Sequence, residues 1–318
     1  MMFWRWFAPS ALLALMVASA GAQTPIDTRN QRAVALPFLR LPFDPQIRAE
    51  GQKEWSVGLS IANEMRRRGA LEDDHETTRL MYRHTRGTQW GEWWVEGGVV
   101  TRGGGFLDPI IDGWHKNVLG WSDPVRNSTR MGRTVVRDGG RYSFGSASGI
   151  SDITVGVGKQ LSRQISARAA IKLPTGSASN LIGSGGLDAG VSVYATQPIN
   201  RRLSVVAQAG LVVQGHATRL PNARKWVDQE GLALVLAPNR RDEWIVQWQS
   251  ERAPITGSES SVNGAHRLMT FGYRRKLGHN EWLEASFSED EDLVNRRQPM
   301  IASSGPDFSV SFRWVKRF

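Results

Sequence analysis

The sequence predicts an all-β chain, a closed antiparallel transmembrane β-barrel of about twelve strands with a short helix in one long extracellular loop. Three observations predict it. Segments of period-two alternation recur along the chain, the connections between them alternate short and long, and the chain ends on an alternating aromatic strand.

Residues 1–22 read as a secretory signal peptide. Arg5 supplies the positive start, residues 11–18 a short apolar run, and Ala20-Gly21-Ala22 the small residues of a cleavage site. Pro9 and the shortness of the run argue against a membrane anchor. Residues 23–50 carry Pro25, Pro37, Pro42 and Pro45, which disfavour a spanning strand. They are expected to form a periplasmic segment that tucks under the pore or into it, ahead of a barrel over 51–318.

Twelve alternating segments follow, at 53–63, 77–85, 89–101, 152–161, 165–174, 186–197, 203–215, 229–237, 243–250, 266–277, 281–289 and 308–318. Each is near the length that spans a bilayer when tilted. In the first, Trp55, Val57, Leu59 and Ile61 share one face, while Ser56, Gly58, Ser60 and Ala62 share the other. Short turns are expected at 86–88, 162–164, 198–202, 238–242 and 278–280. Long loops are expected at 64–76, 102–151, 175–185, 216–228, 251–265 and 290–307. Outer-membrane barrels sort their connections this way, with the short turns periplasmic, whereas a soluble sandwich has no reason to. The even strand count puts both termini in the periplasm.

In the last segment Phe308, Val310, Phe312, Trp314 and Phe318 alternate with Ser309, Ser311, Arg313 and Arg317. This resembles the terminal signal read by the outer-membrane assembly machinery, which becomes an expected partner; Lys316 departs from the pattern. Of the 13 tryptophans, Trp55, Trp90, Trp93, Trp244, Trp248, Trp282 and Trp314 lie in strands or at their ends, where headgroup girdles sit.

Composition agrees without deciding. Hydrophobic content is 40% and mean hydropathy −0.35, as expected when only every second strand residue meets lipid. No run of about eighteen apolar residues exists for a transmembrane helix. No cysteine is present, which removes disulfides, thiol chemistry and a lipoprotein anchor. The net charge of +10 suits the phosphates of lipopolysaccharide in an outer-membrane protein. Outer-membrane lipid and lipopolysaccharide are therefore expected partners, with no nucleic acid. Arg66, Arg67 and Arg68, just outside the first strand, are the candidate lipopolysaccharide contacts.

Several motifs also carry a resemblance. They are Thr28-Arg29-Asn30-Gln31, the run from Gly104 to His115, Ser151-Asp152-Ile153-Thr154, Lys172-Leu173-Pro174-Thr175-Gly176, and Ser288-Glu289-Asp290 followed by Pro306-Asp307-Phe308. In this order they resemble a bacterial family, the domain of unknown function numbered 3187. The resemblance implies an outer-membrane protein and imports no catalytic residue.

Candidate chemistry is sparse. The long connection 102–151 contains a stretch at 106–119 that reads as a helix with Phe106, Ile110, Ile111, Trp114 and Val118 in one stripe. The plain expectation is that the stripe packs into the barrel mouth. Asp112 and His115 are the weak catalytic candidates, an Asp–His pair able to act as a general base. The run Gly145-Ser146-Ala147-Ser148-Gly149 puts alanine where a nucleophile elbow needs serine. Glu72, Asp73 and Asp74 could draw a cation, but read more simply as solvated loop acids. No metal site and no cofactor is expected.

The lumen carries a charge ladder. Arg79 and Arg83 alternate against Leu80 and Tyr82, and Glu92 and Glu96 against Trp93 and Val95, so all four point inward. A turn centred between Gly87 and Thr88 sets Arg83 opposite Glu92 and Arg79 opposite Glu96. Arg274 stands opposite Glu284, Ala195 opposite Val205, and Val193 opposite Ala207. The expected function is a passive or facilitated pore for small polar solutes. The rivals are a rim-sited lipid hydrolase and a plugged structural or assembly barrel.

Overall fold

Alternating strands whose outer faces meet lipid have one stable arrangement, a sheet closed on itself, because hydrocarbon offers nothing to an open edge. The computed structural model describes residues 23–114, 116–117, 120, 130–257, 263–290 and 308–318. In order the elements are β1 (Lys53–Arg68), β2 (Leu71–Thr88), β3 (Gly91–Gly103), α1 (Asp108–Trp114), β4 (Val135–Asp138), β5 (Tyr142–Phe144), β6 (Ala147–Ile150), β7 (Ile153–Gln160), β8 (Ile165–Leu173), β9 (Asp188–Pro198), β10 (Leu203–Val213), β11 (Trp226–Leu236), β12 (Asp242–Arg252), β13 (Ala265–Lys276), β14 (Glu281–Asp290) and β15 (Phe308–Arg317).

Every neighbouring pair is antiparallel, and β1 closes against β15 from Glu54↔Arg317 to Asn63↔Phe308. Twelve staves result, because β6 and β7 form one stave along β3. The register moves from Val99↔Ile150 to Glu96↔Thr154, so one extra residue is inserted between them. This bulge at Ser151-Asp152 turns Asp152 into the lumen. The β4–β5 hairpin pairs with the far end of β2.

Outside, the alternation is plain. On β11, Leu232, Leu234 and Leu236 are exposed while Ala233 and Val235 are buried. Leu80, Tyr82, Val191, Val193, Phe271 and Phe312 extend this apolar belt, which lipid covers.

Inside, the lumen is occupied. Residues 23–50 rise from the short-turn end, where the Gln23 side chain donates to the Arg201 carbonyl. They bend near residues 32–38 at the long-loop end and return to β1. Phe43 packs on Tyr194, Val206 and Ala233; Leu39 and Leu41 join Trp94, Ala170 and Val212. The bend sets Val34 and Phe38 among Leu71, Val136, Tyr142, Phe144, Leu220 and Ile255. Glycines on the lumen face make room. A Cβ at Gly231 would stand 2.8 Å from the Phe43 ring, and one at Gly272 2.3 Å from the Ile26 Cδ1.

Four sequence expectations change. The segment 64–76 is no loop: β1 and β2 pair without a break to Arg68↔Leu71. The turn expected at 86–88 lies further on, since β2 and β3 pair to Thr88↔Gly91. Gly87 is instead a point of close approach, where a Cβ would come 1.8 Å from the Ala49 carbonyl oxygen and the Gly87 N–H donates to Gln52. Arg83 therefore stands opposite Glu96, Glu92 opposite Gly87, and Arg79 opposite Val100. Likewise Ala195 opposes Ala207 and Val193 opposes Ala209, because Asn200 caps a turn centred one residue later. Both slips are even-numbered, so every side chain keeps its face.

The last change concerns the helix. α1 begins at Asp108 rather than at 106, and 118–119 lie outside the described residues; Leu107, Asp108 and Ile111 are buried, leaving Phe106, Ile110 and Trp114 exposed. Glu76 fixes this orientation by accepting from the Phe106 and Leu107 N–H groups, while Asp108 accepts from Asn63 and the Gly132 N–H. Asn63 and Glu76 belong by alternation to the outward set of β1 and β2. The helix therefore rests on the outer side of that hairpin at the long-loop end.

Two measurements check this description. Directly opposed Cα atoms lie about 4.5–5.5 Å apart, within disulfide reach. Four residues along a strand span about 13 Å. Arg83→Cys with Glu96→Cys is expected to cross-link on mild oxidation, whereas Arg83→Cys with Glu92→Cys stays reduced on a non-reducing gel. Phe43→Ala is expected to lower unfolding stability by about 3–5 kcal/mol in a urea titration. Phe271→Ala, on the lipid face, costs far less.

Candidate functional site in the barrel lumen

The ladder residues all lie on the lumen face, and three of them, Arg83, Glu92 and Arg274, bind the inner segment. Arg83 reaches Glu96 across the strand pair with Nε at 2.8 Å, and Asp27 of the inner segment at 2.6 Å. It also lies over the Trp94 ring. Glu92 accepts from Arg168 at 2.7 Å and from the Arg48 N–H at 2.7 Å. Arg274 meets Glu284 at 2.8 Å and Glu243 at 2.6 Å, and donates to the Thr24 and Pro25 carbonyls. Arg79 is the exception. Among the described residues it has no carboxylate within ion-pair distance.

The inner segment brings its own charges. Near its bend, Arg32 is clamped between Asp73 at 2.6 Å and Glu64 at 3.0 Å. On the return limb Arg48 pairs with Asp44 at 2.8 Å and with Glu54, which also accepts from Arg317 of the closing strand at 2.7 Å. Lys172 binds Asp152 at 2.7 Å and Asp188 at 3.4 Å, while Asp188 accepts from the Leu39 and Gly215 N–H groups. Removing one partner of such a buried pair typically costs 3–5 kcal/mol, because the other charge stays uncompensated.

Polar uncharged pairs finish the job. The Gln247 side chain brackets Ile26, accepting from its N–H at 2.9 Å and donating to its carbonyl at 2.8 Å. Thr28 Oγ1 donates to Gln249 at 2.8 Å, and Ser60 to Gln31 at 3.1 Å. Arg29 donates to the Ala35, Leu36 and Phe38 carbonyls, which holds the bend. Sequence reasoning did not single out Arg32, Arg48, Arg168 or Asp188 as functional. Its motifs did mark the place, since Thr28 to Gln31, Ser151-Asp152 and Lys172 to Gly176 all converge on this lumen.

Among the described residues, two cavities bear on the lumen and its mouth. One of about 80 Å³ lies between the inner segment and the wall of β1, β2, β14 and β15. Arg29, Arg40, Arg79, Arg83, Asp27 and Glu96 are among its lining. The other, about 680 Å³, is a vestibule at the long-loop end, lined by Arg141 and the 214–225 connection.

The other candidates come apart. Asp112 holds Lys116 at 2.7 Å, and His115 lies outside the described residues. Arg66 is buried on the lumen side of β1, which takes it away from lipopolysaccharide; Arg67 is exposed; the Arg68 side chain lies outside the described residues. Glu72 faces outward to Arg133 and Arg137 while Asp73 faces inward to Arg32, so the acidic run is split between two faces. At the C-terminus, Phe318 exchanges both backbone hydrogen bonds with Lys53 and packs on Trp55, ring centroids 4.9 Å apart. Lys316 is accommodated by Glu281 at 2.8 Å.

With this geometry in place, known proteins give three findings. Among curated proteins none matches the chain. Among solved structures, the COG4313 outer membrane channel from Pseudomonas putida F1 aligns with a TM-score of 0.57 at 12% identity, covering 88% of this chain and 100% of that one. The β domain of the Bordetella autotransporter BrkA aligns with a TM-score of 0.46 at 11% identity, covering 84% and 99%. The first likeness identifies the fold as that of an outer-membrane barrel. The family described as a protein of unknown function, DUF3187, matches residues 10–297, and the chain belongs to it.

Proposed function

We propose that the chain is an outer-membrane pore for small polar solutes, narrowed by its own N-terminal segment. The observation that carries this reading is the charged cavity between that segment and the wall, where five arginines and three carboxylates stand beside Ser56, Ser60, Ser286 and Ser311. Such a lining favours hydrated or charged solutes over hydrocarbons. In this reading residues 1–22 direct export and are removed. The short turns and both termini face the periplasm, the long loops face outward, and the strand ending at Phe318 engages the assembly machinery. The exposed Arg67 is then the available lipopolysaccharide contact of its run.

The density of pairs holding residues 23–50 favours a second reading, a barrel held shut until that segment moves. Conductance in planar bilayers separates the two. The chain from residue 23 onward is expected to open small channels, and deletion of 24–47 to enlarge them several-fold. A silent full chain with a conducting deletion supports the barrel held shut. Silence from both overturns the pore.

A further inference from the structure

The cavity beside the inner segment has an unbalanced lining. Five arginines face it, Arg29, Arg40, Arg79, Arg83 and Arg313, against three carboxylates, Asp27, Glu96 and Glu284. Those carboxylates are already engaged. Asp27 and Glu96 both hold Arg83, with Arg40 at 3.7 Å from Asp27, and Glu284 holds Arg274, with Arg313 at 3.7 Å. Among the described residues Arg29 donates only to backbone carbonyls. Arg79, only 7% exposed, has no hydrogen-bond or ion-pair partner among the described residues. A guanidinium held away from bulk water without an anion is costly, and it is relieved by water or by a ligand of opposite charge.

A second observation is independent of the first. His216, Arg219, Arg224, Lys225 and Arg141 line the vestibule at the long-loop end, and among the described residues no carboxylate does. A cleft lined by one sign of charge concentrates solutes of the other. The planar guanidinium fork matches the two oxygens of a carboxylate or phosphate. A water needs on the order of 10–15 Å³, so a cavity of about 80 Å³ takes one small solute.

We propose that Arg79, with Arg29 across the cavity lining, forms a binding subsite for a small oxyanion, a carboxylate or a phosphate, and that the cationic vestibule gathers such anions at the long-loop end. This inference rests on the pore reading and names its solute class. It also sets Arg79 apart from the rest of the ladder. Arg83, Glu92, Arg274 and Glu284 fasten the inner segment or its neighbours, whereas Arg79 is left for a ligand.

The test uses the chain from residue 23 onward in detergent micelles. Thermal unfolding is followed with inorganic phosphate or acetate added against chloride at matched ionic strength. Either oxyanion is expected to raise the Tm of the unchanged protein. Arg79→Gln is expected to abolish that rise while leaving the anion-free Tm at or above the original, since no partner is stranded. Arg79→Lys keeps the charge without the fork and is expected to raise the half-saturating oxyanion concentration several-fold, which keeps the test decisive if the glutamine variant does not fold. No rise with either anion, an equal rise in Arg79→Gln, or an unchanged midpoint in Arg79→Lys overturns the subsite. The readout needs no conduction. Silence from both the full chain and the deletion overturns the pore alone, and a flat melting response overturns the subsite alone.

Discussion

Lipid offers no hydrogen bonds, so every strand in it must be paired on both sides. The rest of this molecule follows from how that requirement is met. The last strand returns to the first along ten residue pairs, and Phe318 completes the seam by bonding Lys53 in both directions. Closure creates an interior, and the period of two then sorts the sequence between two solvents. Leucines such as Leu232, Leu234 and Leu236 go to the hydrocarbon, while Arg79, Arg83, Glu92, Arg168, Arg274 and Glu284 are turned inward.

That second consequence creates a difficulty that the inner segment resolves. An interior narrow enough to exclude bulk water makes each unpaired carboxylate or guanidinium expensive. Glu54, Glu64, Asp73 and Glu92 find their counter-charges on Arg32, Arg48 and Arg168, two of which belong to residues 23–50. The same segment lays Ile26 and Phe43 against glycines of the wall. Charge and shape point to one occupant, and the wall is built to receive it. Three of the family's motifs, at 28–31, 151–154 and 172–176, meet in this interior, while the run from Gly104 packs outside the β1–β2 hairpin.

The barrel was legible because its determinants are local. Alternation such as Leu232-Ala233-Leu234-Val235-Leu236 assigns faces without knowledge of the neighbours, and loop lengths assign ends. Registers were less legible. Gly87 reads as a turn residue from sequence, yet its missing side chain serves an approach by Ala49, nearly forty positions away. The even-numbered slips did no damage to the facing, so the inward set was found; the partners of Arg79 and Arg83 were misassigned, whereas Arg274 does stand opposite Glu284. The clamp on Arg32 was illegible, since nothing near that residue announces Asp73 or Glu64, and the acceptor of the Arg48 N–H, Glu92, is 44 positions away. Likewise α1 was seen as a stripe of five apolar residues, but Glu76 and Asn63, from distant strands, decide which of them turn inward.

The long reach of the inner segment bears on the order in which the molecule assembles. Ile26 is held by Gln247, Thr28 stands beside Thr270, and the Thr24 carbonyl is bound by Arg274, at sequence separations of 221, 242 and 250. Contacts between such distant positions must wait for the intervening chain. The stretch synthesised first is thus left without its final neighbours until most of the wall exists. Because both of its limbs leave by the same end of the barrel, it can slide in as a folded-back loop, with no free end to thread. Filling of the interior is therefore tied to the same late strands that close the wall.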